Sequence, residues 1–129
     1  VMPNPQVSQS QPTNGWLSRL KRALGLAPLR RSEIEQAQAD RDAAQLCLYH
    51  YPGCLFCTRV HYTLRRLNLT VPLRDIRADP VARQELLAGG GRGMVPCVRI
   101  PTESGHRWLY ESSDISHYLK QQFGPSAGS

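Results

Sequence analysis

The stretch that most limits what this chain can become is Pro52-Gly53-Cys54-Leu55-Phe56-Cys57. A short apolar, β-prone run, Leu46-Cys47-Leu48-Tyr49, precedes it. After it Phe56, Val60, Leu64 and Leu67 recur at helical spacing, with Arg59, Arg65 and Arg66 between them. A strand that hands a Cys-x-x-Cys to the start of a helix is the setting in which this spacing reads as redox chemistry. The unpaired N–H groups and partial positive charge of a helix N-terminus stabilise a thiolate on Cys54. The thiolate is the attacking species in disulfide exchange. In mid-helix, Cβ atoms three residues apart are roughly 5–6 Å from each other, too far for a relaxed disulfide. A Cys54 at the cap escapes helical dihedrals, so Cys57 can close onto it.

Other uses of the motif fit less well. A zinc site needs a second ligand pair, but Cys47 and Cys97 stand alone and His106 and His117 lack helical-pair spacing. Haem attachment needs His at the position that Thr58 fills. A structural disulfide is the weaker reading, because the N-terminus lacks the apolar block of a signal peptide. No run of 18 apolar residues is present, so no membrane span is expected. A reducing, cytoplasmic setting is the expectation.

The chain has 129 residues, room for one domain with a core plus an appendage. Its net charge of +6 is uneven: residues 1–31 hold five cations and no acid, while the other 98 residues hold eleven cations and ten acids. A basic arm is thus joined to a nearly neutral domain, and nothing in the domain suggests nucleic acid. Residues 1–14 are Pro-, Gln- and Ser-rich and are expected to be disordered. Over Gly15–Leu26, Trp16, Leu17, Leu20 and Leu24 share a helical face opposite Arg19, Lys21 and Arg22. Such a helix suits the inner face of an anionic membrane, a protein partner, or its own domain. Ser32-x-x-Glu35 is a capping box that opens a polar spacer helix. The organisation read here is an arm over 1–45, a domain over 46–124 and a tail over 125–129.

Within the domain, Val71–Ile76 reads as a second strand. Asp79-Pro80 opens a helix to about Leu87, which Gly89-Gly90-Gly91 ends. Met94–Ile100 reads as a third strand, Ser104-Gly105 as a turn and Arg107–Tyr110 as its partner. Glu111-Ser112-Ser113-Asp114 caps a last helix. The order is β-α-β-α-β-β-α, an α/β class with a parallel first crossover and a terminal hairpin.

The Cys54-x-x-Cys57 after strand one, Met94-Val95-Pro96 at the third strand and the polar cap of the last helix together resemble glutaredoxin, over Leu46–Phe123. Tyr110–Ile115 also resembles the glutathione-binding corner of glutathione transferase N-terminal domains, which share the thioredoxin fold. The resemblance implies a thioredoxin fold with an N-terminal helical extension. It implies Cys54 as nucleophile, Cys57 as resolving thiol and a cis peptide bond at Pro96. Val95 is then expected to offer its backbone to the cysteinyl part of glutathione, and Glu111, Ser112 and Ser113 to hold the γ-glutamyl end. Tyr51 and Phe56 complete the expected contacts. Tyr51 stands where the family often has a basic residue, which Arg92 could replace; Leu55-Phe56 stand where Pro-Tyr is usual. Cys97 and Cys47 read as buried strand cysteines, His50 as a strand-end residue and His61 as a helix-face residue.

The activity implied is a glutathione-dependent thiol–disulfide oxidoreductase acting on protein–glutathione mixed disulfides or protein disulfides, without a metal. Proline-free motifs of this kind also occur in iron–sulfur cluster carriers. A non-catalytic transferase-like interaction module is a third reading.

Overall fold

A computed structural model describes residues 28–125. The proposed disordered tail and basic amphipathic helix lie outside that span. In chain order come α1 (Glu33–Ala43), β1 (Cys47–His50), α2 (Leu55–Arg66), β2 (Leu73–Asp75) and α3 (Pro80–Gly90). β3 (Cys97–Thr102), β4 (Gly105–Tyr110) and α4 (Ser112–Phe123) follow. The strands form one sheet in the order β2-β1-β3-β4. β1 and β2 run parallel across the α2 crossover; β3 runs antiparallel to both β1 and β4. This is a thioredoxin fold.

Alternation along the strands divides the core into two layers. Leu46, Leu48, Val98 and Ile100 face the side covered by α2 and α4, meeting Val60, Leu64, Ile115 and Leu119. Cys47, Tyr49 and Cys97 face the other side, where α3 supplies Ala82 and Leu86. Val60 and Leu64 are buried one turn apart on α2, each contributing about 1.5–3 kcal/mol. That packing fixes where the N-terminal end of α2, and so Cys54, must lie.

The capping box at Ser32 forms in full: its hydroxyl accepts from the Glu35 N–H and Glu35 reaches back to the Ser32 N–H. The helix is nevertheless no free spacer. Ala39 and Ala43 are buried in the main core, and the Gln36 side chain donates to the Asn68 carbonyl at 3.0 Å. Arg31 likewise donates to the Phe123 carbonyl at 2.7 Å.

Other boundaries shift for local reasons. β3 begins at Cys97 and not at Met94, since Pro96 has no N–H to give a ladder. β2 keeps three residues, with Val71 and Ile76 buried outside it. α3 continues through Gly89 and Gly90 to Gly91, whose φ of 86° closes it. The two helical glycines answer to β4: a Cβ on Gly89 would collide with the Trp108 indole, and one on Gly90 with the Tyr110 hydroxyl. No helix among the described residues is long and apolar enough to cross a membrane.

Two outcomes follow from this packing. Gly89→Ala gains about 1 kcal/mol of helix propensity but drives a methyl into an indole, an overpacking cost of about 1–3 kcal/mol. A lowered urea midpoint is expected; a raised one contradicts the close approach. Burial also pushes the Cys97 thiol up from 9.0 to about 12. The unfolded chain therefore releases this proton from about pH 9 while the folded protein keeps it, so stability falls as pH rises through that range. Urea midpoints across this window should decline less steeply in Cys97→Ala than in the parent.

Candidate active site

Three chain segments converge at one end of the sheet. The first is the turn from β1 into α2. Gly53 takes φ 86°, a conformation that suits glycine, and the Cys54 N–H donates to the Tyr51 carbonyl at 3.3 Å. Cys54 is then the N-cap of α2, with extended dihedrals (φ −76°, ψ 119°), and its sulfur accepts from the Cys57 N–H at 3.3 Å. The Thr58 hydroxyl and N–H both donate to the Cys54 carbonyl at 3.1 Å, fixing the residue from its other side. The first turn of α2 carries no acid. The Cys54 sulfur thus meets an N–H group, the positive end of a helix and no carboxylate within that turn.

Both cysteines are buried. Cys54 keeps 8% of its surface exposed and Cys57 only 2%. Burial, reinforced by its hydrogen bond to Cys54, pushes the Cys57 thiol up to about 12. All four cysteines are free thiols.

The second segment is the approach to β3, where the Val95–Pro96 bond is cis, as the resemblance implies. The third is the corner between β4 and α4. Glu111 sits there at φ 73°, a sparsely populated region for a residue with a side chain, and makes no side-chain cap to α4. The expected polar cap is thus absent: Ser112 already belongs to the helix and Glu111 is only its backbone N-cap. Ser32 and Asp79, by contrast, cap α1 and α3 through their side chains.

Between these segments lies a groove of about 230 Å³. It brings together six of the residues singled out in the sequence: Phe56, Val95, Pro96, Glu111, Ser112 and Ser113. Cys54 and Cys57 lie at the head of α2 next to Phe56, outside the lining itself. Three lining residues were not assigned to glutathione from the sequence: Arg59, Met94 and Tyr110. Arg59 was legible as the residue one turn beyond Phe56, and its guanidinium indeed sits 5.5 Å from the Phe56 ring centre. Tyr110 locks the corner, donating its hydroxyl to the Arg92 carbonyl at 2.8 Å and accepting from the Arg92 N–H at 3.3 Å.

Tyr51 does not line this groove. It packs against the α3-side core layer, with the Arg77 guanidinium stacked 3.7 Å from its ring centre. Arg77 thereby places a cation beside the position where the sequence has none. Arg92 lies over the Tyr110 ring at 4.3 Å, at the groove's edge. His50 and His61 pair through their rings at 3.3 Å, and burial lowers the pKa of each.

Comparison with known proteins bears on the family and the fold. A family model described as "Glutathione S-transferase, N-terminal domain" matches residues 48–127. No curated protein matches. Among solved structures, a variant of the thioredoxin-like protein BC3987 is 25% identical with a TM-score of 0.50, over 60% of this chain and 91% of its own. The structure of Leishmania TDR1, a unique trimeric glutathione transferase, is 25% identical with a TM-score of 0.52, over 64% of this chain but 18% of its own. Glutathione transferase Omega 3C from Trametes versicolor shares the fold at 17% identity and a TM-score of 0.51, over 74% of this chain and 42% of its own. The chain thus spans nearly all of a small thioredoxin-like protein and a minor part of each transferase. It belongs to the family of glutathione S-transferase N-terminal domains.

Proposed function

We propose that this chain is a glutathione-dependent thiol–disulfide oxidoreductase, with Cys54 as nucleophile and Cys57 as resolving thiol. The observation that carries the reading is the Cys54 sulfur at the N-cap of α2, accepting the Cys57 N–H, two residues before Phe56, which lines a groove with Val95, Pro96, Ser112 and Ser113. The family supports glutathione as the ligand, and the second thiol three residues on favours disulfide exchange over simple conjugation. Glutathione lies with its cysteinyl part against the Val95 backbone and its γ-glutamyl carboxylate at the N-terminus of α4. Arg59 adds a positive charge to the same groove.

The cycle needs no cofactor beyond glutathione. The Cys54 thiolate attacks the glutathione sulfur of a mixed disulfide, and the protein thiolate leaves and takes up a proton. The sulfur–sulfur bond now joins Cys54 to glutathione. A second glutathione thiolate attacks the sulfur of the bound one, releasing oxidised glutathione and restoring the Cys54 thiolate. One disulfide is reduced and two glutathione units end in another. With an intraprotein disulfide, Cys54 instead becomes joined to the substrate. Cys57, after giving up its proton, attacks the Cys54 sulfur, and the substrate leaves as a dithiol. The Cys54–Cys57 disulfide is then reduced by two glutathione molecules, which end as oxidised glutathione. Burial makes Cys57 the reluctant partner, so it acts only when glutathione does not. The cytoplasm supplies the reduced glutathione that this cycle consumes.

The roles separate by substitution. Cys57→Ser is expected to keep at least about half the rate on a glutathionylated peptide and to lose on the order of tenfold or more on a protein disulfide. Cys54→Ser is expected to abolish both, read in a coupled assay of glutathione oxidation. Equal loss from Cys57→Ser on the two substrates points to a dithiol enzyme without a working glutathione groove. Full activity in Cys54→Ser overturns the choice of nucleophile.

A further inference from the structure

Two histidines that the sulfur chemistry does not use meet beside the reactive turn. His50 is the last residue of β1 and His61 lies in the second turn of α2, so they flank residues 51–54 in the chain. Leu48 faces the α2 side of the sheet, and alternation sends His50, two residues on, to the same side. The rings meet edge to face, with centres 5.2 Å apart and an interplanar angle of 70°. His61 Nε2 and His50 Nδ1 share a hydrogen bond at 3.3 Å. Both rings are half-buried.

That contact depends on the number of protons the pair holds. One ring must donate an N–H and the other must accept with a bare lone pair. A neutral pair satisfies this. A pair with one extra proton does so too, because that proton goes to an outer nitrogen. A second extra proton leaves neither facing nitrogen bare, and two like charges then stand 3.3 Å apart. Arg65 on α2 opposes a charge on His61, and Asp75, paired with His50 across β2, favours one on His50. Arg77 stands beside Asp75 in turn, and the Asp75 carboxylate already accepts the Arg77 and Ala78 N–H groups at 2.9 and 3.1 Å. Burial opposes charge on both rings and outweighs Asp75 at His50.

We infer that the His50–His61 contact is a proton-operated clasp on the turn that carries Cys54, closed while the pair holds at most one extra proton and open when it holds two. Closed, it ties the end of β1 to α2 across the turn in which the Cys54 N–H donates to the Tyr51 carbonyl. Open, it frees that turn while Val60 and Leu64 keep the body of α2 in the core. His50 and His61 are thus positioning residues for Cys54, whatever chemistry its sulfur performs. The sign of the acid effect is fixed. The unfolded chain binds protons at histidine near about pH 6.5, and the folded pair holds them off to lower pH. Stability therefore falls with acid, by about tenfold in the folding equilibrium per pH unit for each proton withheld.

The test follows the full chain through acid in the parent and in His61→Gln, which removes one ring and keeps a neutral polar side chain. In the variant the proton affinity of His50, read by NMR of its imidazole, is expected to rise about tenfold. Its urea midpoint is expected to fall less steeply with acid than the parent's. Amide exchange reads the turn itself. Protection of the Cys54 N–H in the parent is expected to drop about tenfold or more as the second proton binds, with no such step in His61→Gln. The step is expected to remain in Cys54→Ser, whose serine also caps a helix, which keeps the thiol's own ionisation out of the reading. Circular dichroism establishes that each variant is folded, and His50→Gln gives the reciprocal reading at His61 where His61→Gln does not fold. A His61→Gln protein that is weakened equally at every pH has lost packing only, and that result overturns the clasp. So does a His50 titration that the variant leaves unchanged, or a parent whose Cys54 protection shows no acid step.

Discussion

The hydrogen bond from the Cys57 N–H to the Cys54 sulfur is the contact on which the rest of the site depends. An N-cap is the one place on a helix where a side chain can face the unpaired N–H groups of the first turn. Oxygen-bearing side chains do this at Ser32 and Asp79; a sulfur does it at Cys54. Capping and the proposed reactivity are therefore the same interaction. It needs Gly53 in its left-handed conformation to turn the chain, and it needs α2 held firmly by Val60 and Leu64.

The sheet supplies the remaining walls. β1 and β3 are neighbours, so the end of β1 that leads to Cys54 lies beside the start of β3 that follows Val95 and Pro96. β4 pairs with β3 and delivers Glu111 and the head of α4 to the same end. Tyr110 ties this corner to the α3–β3 loop through both backbone groups of Arg92. Gly89 and Gly90 let α3 lie close enough for Trp108 and Tyr110 to stay in place. A groove built from three separate segments thus rests on ordinary strand pairing and two helical glycines.

Much of this was legible because it is local. The Cys-x-x-Cys, the Ser32–Glu35 box and Asp79-Pro80 each act within a few residues, and each forms where the pattern places it. The features that escaped depend on distant neighbours. A polar helix with two buried alanines looks like a spacer until Asn68 and Phe123 are seen beside it. Glycines 89–91 look like a helix end until Trp108 and Tyr110 are seen to require two of them inside the helix. Tyr51 was placed in the groove by its distance from the motif, but its ring turns to the α3-side layer and to Arg77. The missing side-chain cap at Glu111 was hidden for another reason: a Glu-Ser-Ser-Asp run signals a helix start, and its composition does not reveal a positive φ.

The central claim is that the fold singles out one sulfur among four. Timed alkylation of the reduced, folded protein with iodoacetamide at neutral pH, with each site resolved by mass spectrometry, tests it most directly. Cys54 alone should be modified rapidly, with Cys57, Cys47 and Cys97 reacting only after denaturation. Modification of Cys57 or Cys97 ahead of Cys54, or uniform labelling of all four in the folded protein, would contradict the account.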